Sequence, residues 1–170
     1  MRFRVRMATA EDAAGIARVQ VESWRTTYRG IVPTEFLAGM DVAGRERAWR
    51  EQFAKRQALT FVAEDGAVVG FISGGALRDR ISGYDSELYA VYLVKECQGL
   101  GVGREMVRAL ARGLRADGFG AMVVWVLEEN PAVGFYKRMG ARPIAGKMIT
   151  IAGARLGELG LGWGSLEELV

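Results

Sequence analysis

Residues 87–103 read E-L-Y-A-V-Y-L-V-K-E-C-Q-G-L-G-V-G, an apolar stretch that runs into a cluster of glycines. The apolar stretch has the length of a strand, and Val102, Met106 and Leu110 begin a helical repeat directly after it. A helix that begins behind a glycine-rich turn presents unpaired N–H groups, and glycine lets a ligand approach the main chain closely. This order of strand, turn and helix is typical of a phosphate-binding site.

The glycine cluster does not match two widespread phosphate motifs. No Gly-Lys-Ser/Thr sequence occurs in the chain, which excludes a P-loop. The dinucleotide-binding motif G-x-G-x-x-G also fails, because Met106 stands where the third glycine would follow Gly101 and Gly103. The phosphate would therefore belong to another kind of ligand.

The elements on either side of this unit predict a mixed α/β fold. The strand before the glycines is predicted over residues 84–94. With strict alternation, one of its faces carries Leu88, Ala90, Tyr92 and Val94, and the other carries Glu87, Tyr89, Val91 and Leu93. Further strands are predicted at 3–7, 60–64, 67–74 and 121–127 and as two strands within 141–163, and helices at 9–28, 42–56, 102–118 and 130–140.

The amino-acid composition excludes several classes of catalytic and metal site. The 170 residues include no histidine and one cysteine, so Ser-His-Asp and Cys-His sites, histidine metal sites and multi-cysteine zinc sites are excluded. We therefore expect no metal, and a reaction here would use carboxylates, tyrosines, main-chain amides or a bound cofactor.

Charge and hydropathy indicate the expected partners and location. The net charge of +3 is too small to predict a nucleic-acid partner. Four arginines at helical spacing predict a solvated helix face, because no aromatic residues lie between them; they are Arg104, Arg108, Arg112 and Arg115. No apolar run is long enough for a membrane helix, and residues 1–7 lack the apolar core of a signal peptide. We expect a cytoplasmic protein.

Three segments together resemble the GCN5-related N-acetyltransferase (GNAT) family. Gln98, Gly101 and Gly103 match the family's Q/R-x-x-G-x-G/A loop. The sequence N-P-A-V-G-F-Y-K-R-M-G-A at 130–141 is similar to the family's second acyl-CoA-binding segment, and W-R-T-T-Y-R-G-I-V-P at 24–33 is similar to a stretch in many bacterial members. Lys95 departs from the pattern, since many members have proline there.

The resemblance implies a single domain over residues 1–170 with the GNAT acyl-CoA N-acyltransferase fold. That fold has a mixed, mostly antiparallel central sheet flanked by helices, splayed between its fourth and fifth strands. The family uses acetyl-CoA as co-substrate, with the pantetheine arm inserted into the splay. The residues implied in binding it are Leu93 and Val94 along the pantetheine, Gln98, Gly99, Leu100, Gly101, Val102, Gly103 and Arg104 around the pyrophosphate, and Asn130 beside the pantetheine arm.

The resemblance also implies how the acetyl group moves. The acceptor amine attacks directly in a ternary complex, and Tyr136 occupies the place of the family's usual general acid, although it also fits a core aromatic beside Phe135. Without histidine, the base must be a carboxylate, or desolvation alone must suffice. Glu87 matches a frequent acidic position, but it also fits a solvent-facing glutamate. Less favoured bases are Asp85 and Glu128. Cys97 has no histidine partner and is expected to be an ordinary side chain.

The acceptor is the least specified part of the reaction. Trp24 and Tyr28 resemble the segment that covers the family's acceptor pocket, although Trp24 also fits the last core residue of its helix. Arg25 and Arg29 beside them favour an acceptor that carries a carboxylate. We expect a small-molecule amine. Alternatives are a protein N-terminus or lysine, and a non-catalytic acyl-CoA-binding regulatory domain; a homodimer is also possible.

Overall fold

The computed structural model describes residues 2–170. They form seven strands and five α-helices, with short 3₁₀ turns at 10–12, 95–97 and 166–169. The elements in chain order are β1 (Arg4–Met7), α1 (Ala13–Thr27), α2 (Thr34–Ala38), α3 (Val42–Lys55), β2 (Leu59–Glu64), β3 (Val68–Ala76), β4 (Ser86–Leu93), α4 (Val102–Ala116), β5 (Met122–Leu127), α5 (Ala132–Arg138), β6 (Arg142–Ile151) and β7 (Ala154–Trp163).

The strands form one mixed sheet in the order β1-β2-β3-β4-β5-β7-β6. Every neighbouring pair is antiparallel except β4 and β5, which run parallel. That parallel pairing is short, since it joins only Ser86, Glu87 and Leu88 to residues 122–124. Beyond Leu88 the two strands separate and leave an opening in the sheet. The expected mostly antiparallel sheet with a splay between the fourth and fifth strands is confirmed.

Helices cover both faces of the sheet. On one face, which we call the α4 face, the apolar side of α4 packs against the sheet with four residues that the sequence predicts, Val102, Met106, Leu110 and Leu114. On the other, the α1 face, Ile16 and Val19 of α1 and Trp49 of α3 pack against Val62 and Phe71. The opening between β4 and β5 is therefore reached from two sides, one under each helical layer.

A β-bulge in β4 overturns the predicted alternation of its side chains. Ala90 pairs with Ser73 but Leu88 pairs with Gly74, so Tyr89 is the extra residue. As a result Leu88 packs on the α4 face with Val91 and Leu93, whereas Ala90, Tyr92 and Val94 pack on the α1 face. Leu88 was expected beside Ala90, and that prediction is wrong because strict alternation assumes an unbroken ladder.

Two turns and one helix start have the geometry that the sequence predicts. The Asp65-Gly66 turn joins β2 to β3, with φ of 75° at Gly66. A second hairpin joins β6 to β7 through Ala152 and Gly153, both with positive φ. At the start of α5, the Asn130 side chain caps the helix by accepting the Ala132 N–H at 2.8 Å. The short helix α2 falls where the sequence predicted only a break after Pro33.

Candidate active site

The turn between β4 and α4 holds a run of unpaired main-chain donors. Gly99 and Gly101 both have positive φ, 76° and 86°, which bends the chain sharply into the helix. Within residues 2–170, none of the six N–H groups from Gly99 to Arg104 has a hydrogen-bond partner. The first intrahelical donor is Glu105, which bonds to the carbonyl of Gly101. Together with the helix dipole, these donors form a site for a phosphate or pyrophosphate.

Neighbouring side chains hold this glycine turn in place. The side-chain amide of Gln98 donates to the Leu93 carbonyl at 3.0 Å and ties the turn to the end of β4. A Cβ on Gly103 would lie 3.3 Å from the ring of Phe135, so α5 packs closely against the first turn of α4. The exposed Arg104 follows directly. Cys97 lies buried beneath the turn, and burial raises the pKa of its thiol, which makes it a poor nucleophile.

The edge of β4 that faces the opening is set by one hydrogen bond. Val94 donates its N–H to the Val69 carbonyl at 2.9 Å and accepts the Cys97 N–H at 3.0 Å, so both of its main-chain groups are paired. Main-chain groups alternate between the two edges of a strand. Leu93 and Val91 therefore direct theirs away from β3 and into the opening, where an extended ligand has the place of a missing strand.

Tyr136 lies in α5 and is only 4% exposed. Its ring packs edge-on against Trp163, and Phe135 lies beside it. Within residues 2–170 no hydrogen bond reaches its hydroxyl. Burial raises the pKa of Tyr136 well above that of a free phenol, so the group keeps its proton at neutral pH.

Two more tyrosines line the opening on the α1 face. The indole nitrogen of Trp24 donates to Oη of Tyr92 at 2.8 Å, and the ring centroids of Trp24 and Tyr28 are 4.4 Å apart. Asn130 donates its Nδ2 to Oη of Tyr28 at 3.1 Å. Burial raises the pKa of both Tyr28 and Tyr92. The structure thus brings Trp24, Tyr28 and Asn130 into one group with Tyr92, which the sequence assigned only to a strand face.

Glu87 is buried in β4 and bound to a single partner. Its side chain is 2% exposed, and its Oε1 accepts from Nε and Nη2 of Arg78 at 3.2 and 2.6 Å. Its Oε2 accepts the main-chain N–H of Arg78 at 3.1 Å. The solvent-facing alternative for Glu87 is wrong. Both oxygens of this carboxylate are therefore occupied by Arg78.

The two other carboxylates named from the sequence lie in different surroundings. Asp85 accepts the N–H groups of Gly120 and Ala121 at the closed end of the β4–β5 pair, away from the opening. Glu128 is exposed just after β5, and its carboxylate lies over the main chain of Gly157.

The segment after β3, residues 77–85, lies over β6 and β7 on the α1 face, and we call the space below it the roofed space. Asp79 in this segment accepts from Nζ of Lys147 on β6 at 3.4 Å, and the Tyr84 ring lies directly on Gly162 of β7. Lys147 also stacks on the ring of Trp125, with its Nζ 4.0 Å from the centroid. Glu158 of β7 lies in the roofed space beside Lys147. Sequence reasoning missed Glu158 because β7 carries no motif.

A cleft of about 410 Å³ lies on the same face of the sheet, between α1, α3 and the β3–β4 pair. Its polar lining consists of Gln20, Arg45, Gln52, Gln57, Ser73, Arg78 and Tyr89. No carboxylate is among its lining residues, so its polar groups suit a neutral or anionic part of a ligand.

Arg25 has a structural role. Its Nε and Nη2 donate to the carbonyls of Leu37 and Met40 at 3.1 and 3.0 Å, which fixes the end of α2 to α1. It therefore gives no support to the expectation that Arg25 selects an acceptor with a carboxylate.

Among residues 2–170 no three His, Cys, Asp or Glu side chains are grouped to hold a metal ion. In the same range no helix has both the length and the apolar character needed to span a membrane.

Comparison with known proteins gives a consistent family. Residues 20–141 match the family described as Acetyltransferase (GNAT) family. The N-acetyltransferase YuaI of Bacillus subtilis, itself uncharacterized, is 43% identical over 167 residues, which cover 97% of this chain and 95% of YuaI. An L-methionine sulfoximine/L-methionine sulfone acetyltransferase of Pseudomonas aeruginosa is 31% identical over 112 residues, which cover 64% of each chain.

Solved structures share the fold. The PaiA N-acetyltransferase of Thermoplasma acidophilum, solved with coenzyme A, superposes with a TM-score of 0.71 at 20% identity and covers 93% of this chain and 98% of its own. The acetyltransferase YncA of Salmonella typhimurium, solved with acetyl-CoA, has a TM-score of 0.72 at 22% identity, with 98% and 95% covered.

Proposed function

This chain belongs to the acetyltransferase (GNAT) family, and on that premise we propose that it transfers the acetyl group of acetyl-CoA to the primary amine of a small molecule. The amine attacks the thioester directly while both substrates are bound. One observation carries the proposal: the unpaired N–H groups of residues 99–104 lie at the end of a strand whose free edge borders an opening in the sheet.

Acetyl-CoA fits this arrangement in two parts. Its pyrophosphate would accept the N–H groups of Gly99 to Arg104, and the guanidinium of Arg104 would add a positive charge. Its pantetheine arm would pair as an added strand with the main chain of Val91 and the N–H of Leu93, since Val94 has no free main-chain group and the Leu93 carbonyl already accepts from Gln98. Asn130 would act from the far side of the opening, where its side chain already caps α5.

The residues at the opening can supply the protons that the reaction needs. A lysine-like amine has a pKa of about 10.4, so it must lose a proton before it attacks. The leaving thiolate must gain a proton, and Tyr136 is a neutral phenol with no competing hydrogen bond within residues 2–170. Glu87 is the base expected from the sequence, and its ion pair with Arg78 would have to open for that role.

The cleft on the α1 face supports a small acceptor. Its volume of about 410 Å³ is within the usual range for small-molecule sites. Arg45 in its lining suits an acceptor that carries an anionic or strongly polar group, whereas Arg78 is already paired with Glu87. The Pseudomonas aeruginosa relative acts on methionine sulfoximine and methionine sulfone, which are amino acids of this kind. Trp24 and Tyr28 would cover the amine end of the acceptor.

The direct test is calorimetry with coenzyme A, followed by a thiol-release assay with acetyl-CoA and panels of amino acids, polyamines, aminoglycosides and peptides. We expect coenzyme A to bind and amino acids to be acetylated fastest. A protein that binds no coenzyme A would contradict the whole proposal. Acetylation of peptides alone would leave the transferase activity standing and overturn the small-molecule acceptor.

A further inference from the structure

The following inference concerns the general base of the reaction and rests on the proposed function. Glu87 and the other carboxylates named from the sequence are poorly placed for that role. Asp85 lies at the closed end of the β4–β5 pair and already accepts the N–H groups of residues 120 and 121. Glu87 holds Arg78 with both of its carboxylate oxygens. Glu128 is exposed, outside the roofed space. A base in the opening must therefore come from a carboxylate that the sequence did not single out.

Glu158 has the position for this role. It pairs with Leu127, the last residue of β5, at the end where β5 has already separated from β4. Leu127 and Leu156 both pack with Tyr28 on the α1 face, and Glu158 follows Leu156 by two residues, so its side chain is on that face too. It therefore stands beside the opening on the α1 face, the face of the sheet on which the acceptor cleft also lies.

The Glu158 carboxylate is enclosed yet has no hydrogen-bond partner within residues 2–170. Its side chain is 16% exposed, and the Nζ of Lys147 is 3.8 Å from Oε2, beyond hydrogen-bond distance. Lys147 is shared with Asp79 and with the ring of Trp125. In the described part of the chain the Glu158 carboxylate thus has one cation at ion-pair distance and accepts no hydrogen bond, which leaves its oxygens free to accept a proton from a substrate.

The charged groups that face Glu158 come from every side of the roofed space. They are Lys147 from β6, Arg78 and Asp79 from the segment after β3, and Glu87 from β4. The neutral but titratable phenol of Tyr28, just after α1, also faces Glu158. Burial raises the pKa of Glu158, and the negative charges of Glu87 and Asp79 act in the same direction, while Lys147 and Arg78 oppose them. The net direction favours proton uptake nearer to neutral pH than for a free glutamate.

We propose that Glu158 is the general base that deprotonates the acceptor amine. The ammonium R–NH₃⁺ gives one proton to the Glu158 carboxylate, directly or through one water. The nitrogen lone pair forms the C–N bond, the C–S bond breaks, and its electron pair leaves with sulfur. Tyr136 gives its proton to sulfur and regains one from the nitrogen. Glu158 then releases its proton to solvent, so the products are the amide and free coenzyme A.

The test compares Glu158→Gln with Glu158→Asp, Glu87→Gln and the exposed control Glu129→Gln, using the best acceptor found for the wild type. We expect Glu158→Gln to lower kcat about 10²-fold or more while the Kd for coenzyme A stays unchanged. Its residual rate should rise with pH as free amine accumulates, and Glu158→Asp should recover part of the loss. The wild-type rate should fall on the acid side with a midpoint above the ordinary glutamate value of about 4.3. That acid limb should persist in Glu87→Gln and Glu129→Gln.

Two results would overturn the assignment. One is a Glu158→Gln variant with kcat within about twofold of the wild type. The other is an acid limb that Glu87→Gln abolishes and Glu158→Gln retains, which would return the role to Glu87. Both presuppose an active wild type, so they differ from failure of the proposed function, in which the wild type itself binds no coenzyme A or acetylates no amine.

Discussion

Tyr28 and Asn130 are 102 residues apart in the sequence and are joined by a hydrogen bond of 3.1 Å from Nδ2 of Asn130 to Oη of Tyr28. The bond links the end of α1 to the start of α5 across the opening of the sheet. Asn130 uses its other polar atom to cap α5. One side chain thus sets the start of a helix and the position of an aromatic ring above the site.

Two substitutions at Asn130 separate these roles. Asn130→Ser keeps a cap oxygen but loses the amide donor, and Asn130→Ala loses both. We expect Asn130→Ala to lower the free energy of unfolding by about 1 kcal/mol or more, and Asn130→Ser by less. Both should raise the acceptor KM, because Tyr28 loses its tether. Denaturant unfolding and steady-state kinetics measure the two effects, and equal stability of the two variants would show that the cap contributes little.

Tyr136→Phe tests the proton donor. Removal of the hydroxyl should lower kcat about 10²-fold with the Kd for coenzyme A unchanged, because the ring keeps its packing against Trp163. Since burial raises the pKa of Tyr136, the wild-type rate should show no loss of this donor between pH 7 and about pH 9. An unchanged kcat in the phenylalanine variant would remove Tyr136 from the mechanism.

Gly101→Ala tests the turn that would hold the pyrophosphate. Gly101 and Gly118 flank α4, both have positive φ, and a Cβ added at either of them would meet no heavy atom within 4 Å. Alanine at either place should therefore cost a similar amount of stability, about 1 kcal/mol. Only Gly101→Ala should weaken coenzyme A binding, by about tenfold or more. Calorimetry on the pair decides this, and equal Kd values would show that the turn does not contact the ligand.

Arg25→Met should act on stability and not on the acceptor. Its guanidinium holds two carbonyls at the end of α2, so we expect a loss of roughly 1–3 kcal/mol of unfolding free energy. Arg29→Met is the matched control, because Arg29 is exposed, and its melting temperature should hardly change. If Arg25→Met instead raised the acceptor KM at unchanged stability, the original acceptor role for Arg25 would be restored.

Asp12 should make stability depend on acid pH. Its hydrogen bonds from Arg6, at 2.8 and 2.9 Å, hold the pKa of this carboxyl below its usual value of about 3.9. A lowered pKa in the folded state means that the stabilisation is complete above the unfolded value and is lost as pH falls through the folded one. Asp12→Asn should be less stable at pH 7 and should lose less stability below pH 4. Parallel slopes for the two proteins in urea titrations at several pH values would contradict this.

Local sequence signals predicted most of the fold, whereas the contacts around the candidate site depend on how distant strands pair. The helix α4 and the turn at Gly66 were predicted because spacing and turn chemistry act within a few residues. The bulge at Tyr89 depends on how β3 pairs with β4, so no local pattern marks it. Likewise Glu158 becomes part of the site only because the β6–β7 hairpin folds back beside β5.

The short parallel pairing at residues 86–88 has a mechanical consequence. The sheet consists of two groups of strands, β1-β2-β3-β4 and β5-β7-β6, and few main-chain hydrogen bonds join β4 to β5 between them. The sheet is therefore joined by few hydrogen bonds along the line where we propose that the two substrates meet. Small changes in the distance between β4 and β5 cost little free energy there. A thioester bound between the two strands would contact both groups of strands and so hold them together.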